Sequence, residues 1–313
     1  METYLGLDLS GTKLHIGEVD AHGNILRFKN YTSGYFNQQV ATSIIRSSLD
    51  DYIRTVGFVG ERPVAMGVGL IGRVDPGEGI WHQIDPNRTD PIRLADILSK
   101  EYGMPCRIDN DVKSATRAER VWGVGQFSKN FVYINIGTGI AVGIVINGRQ
   151  VRGSHFNAGE AGHTAVGVKV GLQCECGRED CVELIASGYG FDRCARHLKN
   201  QYPTELVIPD AEGEIVQAAD VISLGVRGDE LCSVLVDNAS RAIADLIMNL
   251  VRVTDPDTVV LGGNVAANDV MFEKVRSHLN AYTMRFVSNG VVITKLNPKF
   301  IGLLGAAAVA MNM

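Results

Sequence analysis

Nowhere does the sequence stay apolar for the ~18 residues that a membrane span needs. Its opening, METYLGLDLSG, also lacks the basic start and long apolar stretch of a secretory signal. The expected compartment is therefore the cytoplasm. Basic residues are in no excess: 30 Lys and Arg stand against 35 Asp and Glu, a formal charge of −5. Such a balance attracts neither nucleic acid nor an anionic membrane. Low-complexity linkers are missing, and 45% hydrophobic with 21% charged residues excludes disorder and fibrous classes. At 313 residues the chain is too long for one ordinary core, so two domains are expected.

Cysteine is scarce as well, with six in the chain. In a reducing compartment they do not read as a disulfide framework. Cys106, Cys194 and Cys232 stand singly in apolar or helical settings and read as core residues. Cys174, Cys176 and Cys181 instead crowd into CECGREDC, a tight glycine-containing loop. Three thiolates need one more donor to complete a tetrahedral structural zinc site, and His163 is the nearest candidate upstream.

Two further stretches resemble each other. YLGLDLSGTKLHIGEVDAHGNIL and FVYINIGTGIAVGIVINGRQV each run from a buried strand through a Gly/Thr turn into a second strand. Asn147-Gly148 then signals a hairpin. They read as a duplicated unit whose tight turns, Ser10 to Lys13 and Gly137 to Gly139, offer backbone N–H groups and a hydroxyl to a phosphate. Taken alone either turn only reverses the chain; two of them suggest a clamp built from two domains.

Between and after these units strands and helices alternate. An amphipathic helix is expected over 38–56, a strand over 63–74, a helix over 91–103, a strand over 105–111 and a helix over 112–123. Later come helices around 182–200, 215–224 and 231–253, the strand TVVLGGNV, a helix over 270–282, the strand VVITKL and a terminal helix over 303–313. Residues 85–91 and 202–213 read as surface loops. This order implies an α/β fold with largely parallel or mixed sheets. At the end of the strand CRID, Asp109 and Asp111 both qualify as the carboxylate of a catalytic base. Asn110 between them can both donate and accept hydrogen bonds. Asp111 also suits the N-cap of the helix that follows.

The ordered set LDLSGTK, GVGLIGRV, DND, GTG, GEAGH, CECGREDCVE, VVLGGNV and GLLGAAAVA resembles the ROK family of sugar kinases, within the actin and hexokinase superfamily. The resemblance spans nearly the whole chain, and the GEAGH and CECGREDCVE pair is its most specific part. It implies two actin-like (ribonuclease H-like) α/β domains with an interdomain cleft, here expected at 1–118, completed by 300–313, and at 119–299. It also implies an ATP-dependent kinase acting on the 6-hydroxyl of a hexose, glucose first, with N-acetylglucosamine or N-acetylmannosamine next. Asp111 matches the family's general base. Glu160, His163 and Glu183 match its sugar-hydroxyl ligands, with Gly72, Asn87 and Asn110 beside them. His163, Cys174, Cys176 and Cys181 match its zinc ligands. Asp8 would help position Mg²⁺, and Ser10, Gly11, Thr12, Lys13, Gly137, Thr138 and Gly139 would meet phosphates. Gly262, Gly263 and Asn264 would border adenosine. A homodimer is expected, with ATP and a sugar as its small-molecule partners. The family also holds sugar-responsive regulators with an N-terminal helix-turn-helix. Because the first phosphate strand begins at Thr3, DNA binding is not expected.

Several positions depart from the family pattern. Ser10, Ala141 and Asp180 stand where glycine is usual, and Ile71 where proline is usual. DPNRTDPIRL keeps Asn87 but lacks the tryptophan that usually follows. Ile71 and the Asn87 loop put the identity of the sugar in question more than the chemistry.

Overall fold

The computed structural model describes every residue except Tyr35, Pro86, Glu212, Asn312 and Met313. The chain divides into two compact units, Met1–Phe127 with Arg152–Ala158 and Lys299–Met313, and Ser128–Val151 with Gly159–Pro298.

In the first unit, β1 (Thr3–Ser10), β2 (Lys13–Asp20) and β3 (Ile25–Thr32) form an antiparallel meander. After α1 (Gln38–Thr55), β4 (Ala65–Leu70) pairs with β1 in parallel. A small hairpin of β5 (Arg73–Asp75) and β6 (Ile80–Gln83) and the helix α2 (Leu94–Tyr102) precede β7 (Cys106–Asn110), which lies parallel to β4. α3 (Asp111–Trp122) follows β7 directly. The sheet order is β3-β2-β1-β4-β7. β1 and β4 are central and buried on both faces, which is why their sequences run apolar rather than alternating.

The second unit repeats this plan. β8 (Phe131–Ile136), β9 (Ile140–Ile146) and β10 (Arg149–Gln150) make the meander. Next come α4 (Val182–Ala186), α5 (Gly188–Leu198), α6 (Ala218–Val226) and α7 (Glu230–Thr254). The parallel strand β11 (Thr258–Gly262), α8 (Asp269–His278) and β12 (Val291–Ile293) complete a sheet ordered β10-β9-β8-β11-β12. The two sheets thus share one order of meander and parallel strands, and the duplicated hairpins expected from the sequence are β1–β2 and β8–β9. Each unit has its own apolar core, one around Leu5, Leu7, Ile45 and Val68, the other around Ile134, Phe191, Ile243 and Leu261.

The chain then returns to the first unit with α9 (Ile301–Ala310). GLLGAAA suits this helix because its backbone lies almost on the sheet. A Cβ on Gly67 would stand 1.9 Å from the Ala306 carbonyl oxygen, and one on Gly6 2.6 Å from that of Leu303.

Some expectations shift. The boundary placed after residue 118 falls inside α3, so the first unit runs on to Phe127 and regains Arg152–Ala158. The strand expected over 63–74 breaks after Leu70 because Gly72 turns the chain with φ +85°. The helix expected over 270–282 ends at His278. The terminal helix reaches Ala310, and its expected last residues, Asn312 and Met313, lie outside the described residues, as do Pro86 and Glu212 of the two loops. Among the described residues no helix is long and apolar enough to cross a membrane.

Candidate active site and metal centre

The end of β7 sorts the two candidate carboxylates. Asp109 is buried and gripped by Arg152, at 2.8 Å from Nη1 to Oδ1 and 2.7 Å from Nη2 to Oδ2, with Arg117 a further 3.9 Å away. Both its oxygens are thereby occupied. Asp111 opens α3, and its Oδ1 accepts from the Val112 N–H at 2.9 Å. The cap of α3 is Asn110 rather than Asp111: its Oδ1 accepts from Val112 and Lys113, both at 3.1 Å. The Asn110 amide donates to the Gly72 carbonyl at 3.1 Å. At Gly72 a Cβ would meet the Gln83 carbonyl oxygen at 2.1 Å, so this contact needs glycine for space as well as for φ. Asn87 sits apart in its exposed loop, its N–H donating to Asp85 Oδ1 at 2.8 Å. Among the described residues no hydrogen bond joins it to Gly72 or Asn110.

Asp8 lies near the end of β1, beneath the turn of Ser10, Gly11, Thr12 and Lys13, of which the last three are exposed. Burial, and then the nearby Asp111 carboxylate, push Asp8 up to about 7. His15 Nδ1 stands 3.8 Å from Asp8 Oδ2 and has no hydrogen-bond partner among the described residues. Burial, then Lys13 and Lys299, hold this imidazole below its ordinary pKa, which favours the neutral ring. A buried carboxylate whose proton affinity is raised by a second carboxylate nearby suits a divalent cation, which would neutralise that charge.

In the second unit the two glycine-bearing turns meet at the carboxyl ends of adjacent parallel strands. The Val265 N–H donates to Ile136 O at 3.1 Å, and Asn264 Oδ1 comes within 3.7 Å of where a Gly137 Cβ would stand. α5 closes the GTG turn from behind, with Gly188 and Tyr189 N–H donating to the Gly137 and Thr138 carbonyls at 2.8 and 3.1 Å. Among the described residues no protein group accepts from the Thr138 or Gly139 N–H. Gly262 and Gly263 are required by the protein itself: Cβ atoms there would meet the Tyr133 hydroxyl and the Ile136 carbonyl oxygen, each at 2.3 Å.

The cysteine loop stands beside this turn. Donor atoms of His163, Cys174, Cys176 and Cys181 all lie within 4.8 Å of one another. The Cys174 sulfur is 3.4 Å from His163 Nδ1 and the Cys176 sulfur 3.5 Å from that of Cys181. Tetrahedral zinc with bonds of about 2.0–2.3 Å sets ligand atoms roughly 3.5–3.8 Å apart, so the cluster fits that ion closely. Burial pushes the Cys181 thiol up to about 12, and a bound dication would reverse this by stabilising the thiolate. Cys181 is also the N-cap residue of α4, which places Glu183 in the first turn. Glu183 Oε2 accepts from the Ile140 N–H at 2.7 Å, and Gly139 lacks a Cβ that would stand 2.6 Å from it. The loop therefore fixes Glu183 against the GTG turn. Glu160 is exposed, one turn before His163, whose N–H it receives at 3.2 Å through its carbonyl.

Sequence reasoning missed Arg152, His15 as neighbour of Asp8, and the part played by Asp180. Arg152 is 43 positions from its partner, and no local pattern marks such a pair.

Comparison with known proteins agrees with this architecture. The chain is 28% identical to a glucokinase of Halalkalibacterium halodurans over 291 residues, covering 92% of this chain and 88% of that one. A crystal structure of a ROK family glucokinase from Streptomyces griseus, in complex with glucose and AMPPNP, superposes with a TM-score of 0.77 at 25% identity, covering 99% of this chain and all of the other. The DNA-binding transcriptional dual regulator NagC of Escherichia coli is 24% identical over 307 residues, 97% of this chain and 74% of its own length. The ROK family model matches residues 4–313, and the chain belongs to that family.

Proposed function

We propose that the chain is an ATP-dependent hexose kinase that transfers the γ-phosphoryl group to the 6-hydroxyl of a pyranose, with glucose as the first candidate. The observation that carries this reading is the division of labour at the end of β7. Arg152 takes Asp109 out of the chemistry, while Asp111 stays at the helix start beside the Asn110 amide. Phosphoryl transfer to an alcohol needs positioning, neutralised phosphate charge and a carboxylate to accept the proton. Asp111 takes the proton of the attacking hydroxyl. Glu183, held by Ile140, His163 through Nε2, Glu160 and Asn110 bind the other hydroxyls. Gly72 shapes the wall behind Asn110, and Asn87 reaches the sugar from its loop. The exposed turn Ser10–Lys13 and the N–H groups of Thr138 and Gly139 receive phosphates, with Gly137 completing the second turn; Gly262, Gly263 and Asn264 border the nucleoside.

His163 Nδ1 and the three thiolates would hold structural zinc, which braces the loop. Asp8 would hold Mg²⁺, which supplies charge neutralisation at the phosphates. Both ions suit donors that are otherwise buried at a cost.

A second reading, a non-catalytic sugar-responsive regulator, has the similarity to NagC in its favour. It gives Asp111 and the two phosphate turns no task. A panel of hexoses and N-acetylhexosamines, assayed with Mg-ATP by coupled ADP release, separates the two. Turnover of at least one pyranose with free hydroxyls at C3, C4 and C6 is expected. Sugar binding without turnover of any member would favour the regulator.

A further inference from the structure

Asp180 precedes the last cysteine of the metal loop, buried, with φ +52°, a backbone conformation that favours glycine. A side chain there costs backbone energy, so its carboxylate must return something. Oδ1 accepts three consecutive backbone N–H groups, from Val170 at 3.1 Å, Gly171 at 2.7 Å and Leu172 at 3.0 Å. The Asp180 N–H donates in return to the Leu172 carbonyl at 2.9 Å. This clasp joins the stretch that leads into Cys174 to the residue just before Cys181. Further rungs continue on either side: Cys174 N–H to the Arg178 carbonyl at 2.8 Å, and Val182 N–H to that of Thr164 at 2.9 Å.

We propose that Asp180 is a positioning residue for the zinc loop, its carboxylate gathering the 170–172 backbone so that Cys174 and Cys181 are presented together to the metal. A carboxylate suits the task because one oxygen can serve three convergent N–H dipoles, a small anion nest closed from within the chain. A glycine would relieve the backbone but leave those three N–H groups without their acceptor. The loop would then have to be ordered by the metal itself, and that cost would appear as weaker binding. Outer partners that orient metal ligands are commonly worth 10–100-fold in affinity.

The proposal rests on the cluster being a zinc site, so zinc content of the parent protein is measured first. A parent without zinc overturns both. Competition with a chromophoric chelator then gives zinc affinities for the parent, Asp180→Gly and Asp180→Asn. Asp180→Gly should bind zinc at least tenfold more weakly and release it faster. Asp180→Asn keeps the shape and one acceptor and should fall between. The unfolding midpoint of each metal-free protein is the second readout and should change little. Parent-like zinc affinity in Asp180→Gly overturns the proposal. So does a loss of affinity that only parallels a fall in the metal-free midpoint, because Asp180 would then be a general structural residue.

Discussion

Arg152 and Asp109 meet head on, two nitrogens against two oxygens at 2.8 and 2.7 Å, with the carboxylate 1% exposed. Removing the guanidinium leaves a buried charge answered, among the described residues, by the Asn110 N–H at 2.9 Å and by Arg117 at 3.9 Å. Arg152→Ala should therefore cost about 3 kcal/mol, near the low end for a broken buried pair. Pairing it with Asp109→Asn should recover most of that loss. Denaturant midpoints for the single and double variants check both statements.

Asp111→Asn should lower kcat by at least about 10²-fold while sugar affinity persists, because the amide cannot take the hydroxyl proton yet keeps its size. Single-turnover kinetics with equilibrium sugar binding provide the measurement. Unchanged turnover would remove Asp111 from its role.

Elemental analysis should find about one zinc per chain, the stoichiometry of a single tetrahedral site. Cys176→Ser should lose most of it, since Cys176 is one of four converging donors. Sugar affinity should fall with the metal, because Glu183 lies in the first turn of the helix whose N-cap position is Cys181. Metal-free protein with full sugar affinity would contradict the bracing role.

Asp8 gives the metal-free protein a particular pH dependence. In the fold it keeps its proton up to about pH 7, whereas its ordinary pKa is 3.8. Between these values the native state binds more protons than the unfolded one, so its contribution is complete below about pH 4 and fades as pH rises to about 7. Asp8→Asn should flatten that decline, by up to a few kcal/mol. Thermal melts of parent and variant across this range, with chelator present, isolate the difference.

Gly67→Ala should be severely destabilising, since the new Cβ would press 1.9 Å from the Ala306 carbonyl oxygen and push α9 off the sheet. A loss of about 3 kcal/mol or more is expected for such overpacking. Gly77→Ala is the control, at an exposed turn where the nearest atom is 3.3 Å away, and should be close to neutral.

The fold was legible where the chain repeats itself. Two strand–turn–strand segments with small turn residues predict two hairpins, and both sheets extend them with a third antiparallel strand and parallel strands in the same order. Cysteine spacing was equally informative, because four potential donors within a short segment have few ways to satisfy themselves other than by converging. Alternation along β7 could not choose between Asp109 and Asp111. What sets their surroundings apart is the pairing of Asp109 with Arg152, whose approach depends on the tertiary path of 152–158. The break at Gly72 was hidden because GVGLIGRV reads as one apolar run, and only the crowding by Gln83 reveals why its glycine must turn. Asp180 was visible as an oddity, but its three backbone partners exist only once the loop has folded.

α9 fills the face of the first sheet that Gly6 and Gly67 leave open, yet Ile301–Ala310 follows the whole second unit in sequence. On a ribosome adding roughly 5–20 residues per second, β1 emerges some tens of seconds before the helix that covers it. The second unit, Ser128–Pro298 apart from Arg152–Ala158, is complete by then. The half of the molecule made first is thus finished last, and its apolar sheet face is the surface a chaperone would meet on the nascent chain.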